Sequence, residues 1–384
     1  MIALREGEIP SIERHGDYAI VAITKHGVEM ARKLHETFRH SDLYYMSKFE
    51  RGDEGARGIQ LFEGSVRLLF PALFPAYKGL IIIISLGAVI RMIAPLLVDK
   101  KTDPGIVVID DKGENVISVL SGHLGGANEL TREVAAAMGA RPIITTASDV
   151  QGTIAVDLFG RRFGWEWESA DKLTPVSASV VNEEQVAVVQ ESGEPGWWLY
   201  DTPLPANIRT YSSVADALAV KPQAALVVTH RVLSTDEEAI LENGVLYRPK
   251  VIALGIGCNR GTSAEEIESV ISETLAELQF SMKSVKAVCT IDLKKDEEGL
   301  LTVVQKHGWA FVTYAPEQLN TVALEAPSDT VFQFTGAYGV SEPAAKLYSG
   351  AKELALVKKK SGNVTISVAV IPFPQEGSEA ADGR

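Results

Sequence analysis

Residues 79–98 read GLIIIISLGAVIRMIAPLLV, a nearly unbroken apolar run interrupted by Gly87, Arg91 and Pro95. About 20 apolar residues suffice to cross a bilayer. An internal arginine between a glycine and a proline argues against that use, and no membrane span is expected. The run divides instead into a strand at residues 80–85, a glycine turn and a short helix. A strand that is apolar at every position has both faces covered. That is the condition of a parallel strand inside an α/β layer.

The flanking sequence repeats this alternation. Residues 18–23 predict a strand, and residues 27–38 a helix with Val28, Ala31, Leu34 and Phe38 on one face. A strand at 43–46 follows, then a polar loop at 47–58 and a helix at 61–70 closed by Pro71 and Pro75. Strands at 106–109 and 116–120 flank a hairpin-type turn containing Gly113, and residues 142–146 make another strand. Alternating strands and helices predict an α/β chain, and 384 residues exceed one ordinary core.

The expected organisation has five parts. An N-terminal open, mostly parallel sheet domain spans 1–138, and a small mixed α/β middle domain spans 139–234. A polar linker occupies 235–249, a C-terminal α/β domain 250–374, and a disordered tail 375–384. The middle region carries Trp165, Trp167, Trp197 and Trp198. Its strands are expected at 179–181, 186–189, 197–200, 208–211 and 225–230. The last domain is expected to hold strands at 251–256, 285–292 and 310–314. Its helices are placed at 264–278, 297–307 and 341–348, before a hairpin at 353–357 and 364–370.

A net charge of −13 argues against a nucleic-acid partner, which needs a basic face. It leaves room for an anionic small molecule, because a local site can oppose the global field. Cys258 and Cys289 are the two cysteines, too few for a disulfide framework. With no apolar signal segment at the start, a reducing cytoplasmic setting is expected.

Residues 121–128, SGHLGGAN, concentrate the chemistry. A histidine on a flexible turn suits proton transfer near neutral pH. The glycines let main-chain N–H groups approach a ligand, and the helix predicted next aims its N-terminus at the same place. The alternative for His123 is a hydrogen-bonded, partly buried turn residue. Ser121 as a nucleophile activated by His123 is disfavoured, since two residues apart on one turn their side chains diverge. Three further glycine turns follow strands, at 85–91, 255–263 and 336–341. In the second of these Arg260 reads as the partner of a bound anion, or the turn is only a tight one with Ser263 and Glu266 as a capping box. Arg91 reads as a carboxylate clamp, or as half of an internal pair with Asp103 or Asp110. Residues 145–149, TTASD, end a strand at the usual ligand crevice of an open α/β sheet, or simply cap a helix. Cys258 reads as a nucleophile or, more commonly, a small buried thiol. His15, His26, His35, His40, His230 and His307 show no ligand spacing, so no protein metal site is expected.

Five stretches in order resemble the cobalt-precorrin-5A hydrolases of cobalamin biosynthesis. They are SLGAVIRMIAP at 85–95, the segment from DPGIVVID to SVLSGHLGGAN at 103–128, PIITTASD at 142–149, GIGCNRGTSAEEIE at 255–268 and GVSEPAA at 339–345. The resemblance implies an N-terminal, a middle and a C-terminal domain, the last also similar to a small protein of the aerobic route. It implies hydrolysis of a δ-lactone on a cobalt-containing tetrapyrrole, with loss of acetaldehyde. The cobalt travels in the substrate, so no cofactor is expected. On this reading His123, Asn128 and Asp149 are catalytic. His123 is the base, and N–H groups near Gly125 and Gly126 stabilise the oxyanion. Substrate carboxylates are assigned to Gly87, Arg91, Ser121, Gly122, Gly125, Gly126, Thr145 and Thr146. Gly257, Asn259, Arg260, Gly261, Thr262, Ser263 and Glu342 complete that set. Expected partners are the tetrapyrrole, other enzymes of the pathway in passing, and a second copy of the chain. A non-catalytic tetrapyrrole carrier is the rival reading, and a nucleotide-dependent enzyme a third that the glycine spacings oppose.

Overall fold

The computed structural model describes residues 1–38 and 40–373, so the tail expected from residue 375 lies outside the described residues. The chain divides into two compact units, Met1–Leu158 and Phe159–Arg384.

The first unit is an eight-stranded sheet. Its elements are β1 (Ile2–Ala3), β2 (Tyr18–Ala22), α1 (Lys25–Thr37), β3 (Ser41–Met46), β4 (Gln60–Glu63), α2 (Phe70–Ala76), β5 (Gly79–Ile83), α3 (Leu86–Ile93), β6 (Gly105–Ile109), β7 (Asn115–Leu120), α4 (Ala127–Met138), β8 (Arg141–Ile143) and α5 (Ala147–Gln151). The strand order is β1-β4-β3-β2-β5-β6-β7-β8. Successive side chains of a strand face opposite ways, which explains the apolar run in β5. Ile81 and Ile83 join the layer under α1 and α4, with Val28, Leu34, Leu130 and Val134. Leu80 and Ile82 join the layer under α2 and α3, with Leu73, Phe74, Val89 and Met92. Among the described residues no helix is long and apolar enough to cross a membrane.

Strand direction decides where a site can form. β1 to β6 run parallel to one another, while β7 returns antiparallel to β6, with Ile106 opposite Leu120 and Ile109 opposite Val116. β8 runs parallel to β7, with Ile117 opposite Ile143. Hence β7 and β8 end together at one edge, and β2 to β6 end at the other.

Two expectations fail in this unit. The helix expected at 61–70 is the strand β4 followed, after a short turn, by α2. Leu61 and Phe62 are buried by pairing between β3 and β1, and Pro71 opens the helix instead of closing it, a position where its missing N–H costs nothing. β8 also belongs to this sheet, past the boundary expected at 138.

The second unit holds two five-stranded sheets. The first contains β9 (Glu166–Trp167), α6 (Leu173–Val181), β10 (Val186–Gln190), β11 (Ile208–Tyr211), α7 (Val214–Ala219), β12 (Ala224–Val228) and β13 (Gly244–Arg248), in the order β11-β10-β12-β13-β9. The strand expected at 179–181 is the end of α6, where Val176 and Val180 share a buried face at helical spacing. Residues 197–200 form no strand; the Trp197 ring packs edge-on against Phe159 instead. The segment expected as a linker contains β13, which pairs with β12.

The other sheet contains β14 (Ile252–Cys258), α8 (Ala264–Glu277), β15 (Val285–Ile291), α9 (Glu298–His307), β16 (Ala310–Tyr314), α10 (Pro316–Leu319), α11 (Asp329–Thr335), α12 (Ser341–Ser349), β17 (Leu356–Ser361) and β18 (Val364–Val370), in the order β16-β15-β14-β18-β17. Gly255 and Gly257 lie inside β14, not in a turn. A Cβ at Gly255 would sit 1.8 Å from the Ser341 carbonyl oxygen, so the glycine admits α12 against the strand.

Candidate active site

β7, α4 and β8 form a βαβ unit whose two strands end at the same edge. The turn after β7 and the turn after β8 therefore meet, which is the usual place for a ligand in an open sheet. The first turn is a tight knot. Ser121 has φ 55° and Gly126 φ 78° as the residue preceding α4. A Cβ on Gly125 would lie 2.3 Å from Ser121 Cβ, and one on Gly122 would lie 2.7 Å from Asn128 Oδ1.

This knot consumes some of the donors expected to bind anions. Gly126 N–H donates to His123 O (2.9 Å), Ala127 N–H to Ser121 O (3.1 Å) and Asn128 N–H to Gly122 O (2.9 Å). The expected oxyanion donor at Gly126 and the anion-binding start of α4 are thus already occupied by the turn's own carbonyls.

Asn128 is buried at the first turn of α4 and ties the two loops together. Its Oδ1 accepts from Ser118 Oγ (2.7 Å), and its Nδ2 donates to Thr146 Oγ1 (2.9 Å) and Asp149 Oδ2 (2.9 Å). Thr146, the residue before α5, therefore orients Asn128, while Thr145 is exposed. Both oxygens of Asp149 are engaged. Oδ2 also meets His123 Nε2 (2.9 Å), and Oδ1 accepts from Arg132, one helical turn beyond Asn128.

His123 is held between two carboxylates. Nε2 faces Asp149, with Ser148 Oγ at 3.3 Å, and Nδ1 lies 2.9 Å from Asp157 Oδ1. The ring is 16% exposed, Asp149 15% and Asp157 21%, so water is mostly excluded from the pairs. The hydrogen bond to Asp149, then that to Asp157, raises the His123 pKa to about 9 against the opposing effect of burial. The same hydrogen bond from His123 holds Asp149 below the usual carboxylate range despite its burial, and Arg132 adds to the effect.

An imidazolium at neutral pH is favoured by this raised pKa, with both ring nitrogens facing carboxylates. It also leaves no nitrogen to activate Ser121, whose hydroxyl is buried without a hydrogen-bond partner among the described residues.

Arg132, Ser148 and Asp157 join the cluster from outside the residues given a role from the sequence. Arg132 is recoverable from helical spacing, four residues past Asn128. Asp157 is not, because it falls within the stretch 139–234 assigned to the middle domain, with no motif around it.

The remaining expected residues do not join this cluster. Gly87 and Arg91 follow β5 and so open at the opposite edge of the sheet. Arg91 is exposed and donates to Gly87 O of its own helix (3.1 Å). Neither proposed partner meets it: Asp103 accepts from Val98 N–H (3.1 Å), and Asp110 closes the hairpin turn through Asn115 N–H (2.6 Å).

The Gly257-to-Ser263 group and Glu342 belong to the second unit. There the anion cradle is filled by the chain itself. The Glu297 carboxylate, 3% exposed, accepts Gly261 N–H at 2.6 Å, and Arg260 is spent on Asp296 (3.1 Å) and Leu293 O (2.7 Å). Asn259 pairs with Asn363 (2.8 Å), and Thr262 Oγ1 donates to Asn259 O (2.7 Å). Ser263 caps α8 by accepting from Glu266 N–H (3.2 Å), but the Glu266 carboxylate turns to Asn363 N–H (2.8 Å), so the capping box is half formed. Glu342 is paired with Lys346 (2.8 Å). Burial raises the Cys258 pKa, which keeps the thiol protonated and argues against a nucleophile.

Three family descriptions match consecutive parts of the chain: "Cobalamin synthesis G N-terminal" at residues 69–149, "Cobalamin biosynthesis central region" at 154–249 and "Cobalamin synthesis G C-terminus" at 252–369. The chain is 74% identical over 373 residues to a cobalt-precorrin-5A hydrolase of Priestia megaterium, covering 97% of this chain and 100% of that protein. It is 31% identical over 360 residues to a cobalt-precorrin-5A hydrolase of Salmonella typhimurium, covering 92% and 97%. A segment of 121 residues is 31% identical to Protein CobE of Sinorhizobium sp, covering 31% of this chain and 79% of that protein.

Proposed function

Because the chain belongs to the cobalt-precorrin-5A hydrolase family, we propose that the edge where β7 and β8 end is where it works on the macrocycle. The chain is an enzyme of cobalamin biosynthesis. It opens the δ-lactone of cobalt-precorrin-5A and releases acetaldehyde, leaving cobalt-precorrin-5B. The cobalt enters and leaves as part of the substrate. We place this chemistry in the cytoplasm, where the free thiols of Cys258 and Cys289 stay reduced.

The observation that carries the site assignment is the His123 ring clamped between Asp149 and Asp157. Lactone opening breaks an acyl C–O bond and leaves an alkoxide, which a nearby acid must protonate. His123 supplies that proton. Its Nε2 side is fixed by Asp149, itself held by Arg132 and Asn128, so the Nδ1 proton is the one to be redirected. Neutral His123 then takes the proton back from the same oxygen. The carbon–carbon bond breaks, acetaldehyde leaves, and the electron pair enters the conjugated cobalt macrocycle. One side chain thus acts as acid and then as base on one atom.

The test is the pH dependence of acetaldehyde release under kcat/KM conditions, which reports groups of the free enzyme. An acid with a pKa of about 9 must be protonated to start. The rate should hold through neutral pH and fall roughly tenfold per unit above that value. A rate that instead falls below the ordinary histidine pKa of about 6.5 would show His123 starting as a base and would overturn the assignment.

A further inference from the structure

A cationic His123 leaves water activation without an agent. We infer that Asp157 is the general base, taking the proton from the water that attacks the lactone carbonyl. The inference rests on the site assignment above.

The geometry separates the two carboxylates that flank the ring. Asp149 has neither oxygen to spare: Oδ2 serves His123 Nε2 and Asn128 Nδ2, and Oδ1 serves Arg132. Arg132 is itself backed by Glu129 at 3.2 Å, so this side is a closed chain of charges. Asp157 is engaged through Oδ1 alone among the described residues, and it is the more exposed of the two. It also sits at Nδ1, the nitrogen whose proton is free to move, because Ser148 and Asp149 hold the other. Base and acid then share one side of the ring, within reach of one ester.

The proton account closes. Water gives a proton to the Asp157 carboxylate as its oxygen bonds to the lactone carbonyl carbon. The ring C–O bond breaks, and the departing oxygen takes the Nδ1 proton of His123. The products are a carboxylic acid, an alcohol, neutral His123 and protonated Asp157. Neutral His123 then takes the alcohol proton in the carbon–carbon cleavage, and Asp157 gives its proton up to solvent, which restores the starting state with no oxidant or further reactant.

The experiment uses the full chain with cobalt-precorrin-5A, following acetaldehyde by its reduction with a coupled alcohol dehydrogenase. Asp157→Asn removes the base with little change in volume. Turnover should fall by ~10²–10⁴-fold, the range for a lost acid–base group. Substrate affinity, read from the macrocycle's absorbance, should change by no more than about threefold. Asp157→Ala, checked for folding by circular dichroism, should regain at least about tenfold of its lost rate in formate, a mobile carboxylate that can accept the water's proton. A purely structural carboxylate would not respond to formate. D157N turning over within about threefold of wild type overturns the inference, and so does a folded D157A that formate leaves unchanged. If His123→Gln is inactive in that case, the site assignment stands and only the base lies elsewhere. If H123Q is also active, both fall.

Discussion

Replacing His123 by glutamine should slow acetaldehyde release by ~10²–10⁴-fold. Glutamine fills a similar space and keeps an amide donor, so the knot of the 121–126 turn survives. It has no proton to give at any accessible pH. Two proton transfers are assigned to this side chain, so the effect should belong to turnover and not to affinity. The macrocycle's absorbance change on binding should titrate as in the wild type, while the aldehyde does not appear. The variant has a second expected signature. Without the imidazolium, Asp149 loses the hydrogen bond that contributes most to its lowered pKa. Arg132 and Asn128 remain, so the carboxylate should still ionise below the usual range, though by less. A folded H123Q enzyme with near-normal aldehyde release would remove the site from this edge of the sheet.

How much of this was legible in the sequence depends on the range of the interaction. The turn at 121–128 announced itself, because histidine, glycine and asparagine beside a strand end are local signals. The alternation of strands and helices gave the layered architecture for the same reason. His123 is legible as a titrating residue on a flexible turn, but its raised pKa is not. That raised pKa comes first from Asp149 and then from Asp157, which lies further along the chain and is brought back by the segment after α5. The hairpin at Gly113 is also visible in the sequence, and it fixes the direction of β7. Reversing β7 sends the His123 turn to the edge opposite Gly87 and Arg91, so those glycine turns cannot converge. The glycines of β14 show the complementary error. A glycine that admits a neighbouring helix and one that admits a ligand look alike in sequence. The Ser341 carbonyl at Gly255 settles the first case. Glu297 is the same lesson for charge, since an anion cradle can be filled by the protein's own carboxylate.

Asn128→Asp should be the most destabilising near-isosteric change in the first unit, by about 3 kcal/mol or more at pH 8, the cost of an uncompensated buried charge. The introduced carboxyl would replace the Nδ2 donor that now meets Asp149 Oδ2 at 2.9 Å. Thr146 can rotate its hydroxyl to donate, but Asp149 has no proton to offer. Two carboxylates at that distance cannot both ionise, so the pair retains a proton and its folded pKa rises above the unfolded value near 4. The sign of the pH effect follows. Below the unfolded pKa both states are protonated and the charge penalty vanishes. As pH rises past it the unfolded chain ionises freely while the folded pair resists, so the penalty grows until the folded pKa is passed. The deficit relative to wild type should thus be much larger at pH 8 than at pH 5. All five tryptophans lie beyond Leu158, so tryptophan fluorescence does not report on this unit. Amide hydrogen exchange in peptides covering residues 115–138 is the suitable measurement. Equal loss of protection at both pH values would mean that Asn128 matters through packing alone, and that the charge chain from Arg132 through Asp149 to His123 does not depend on it.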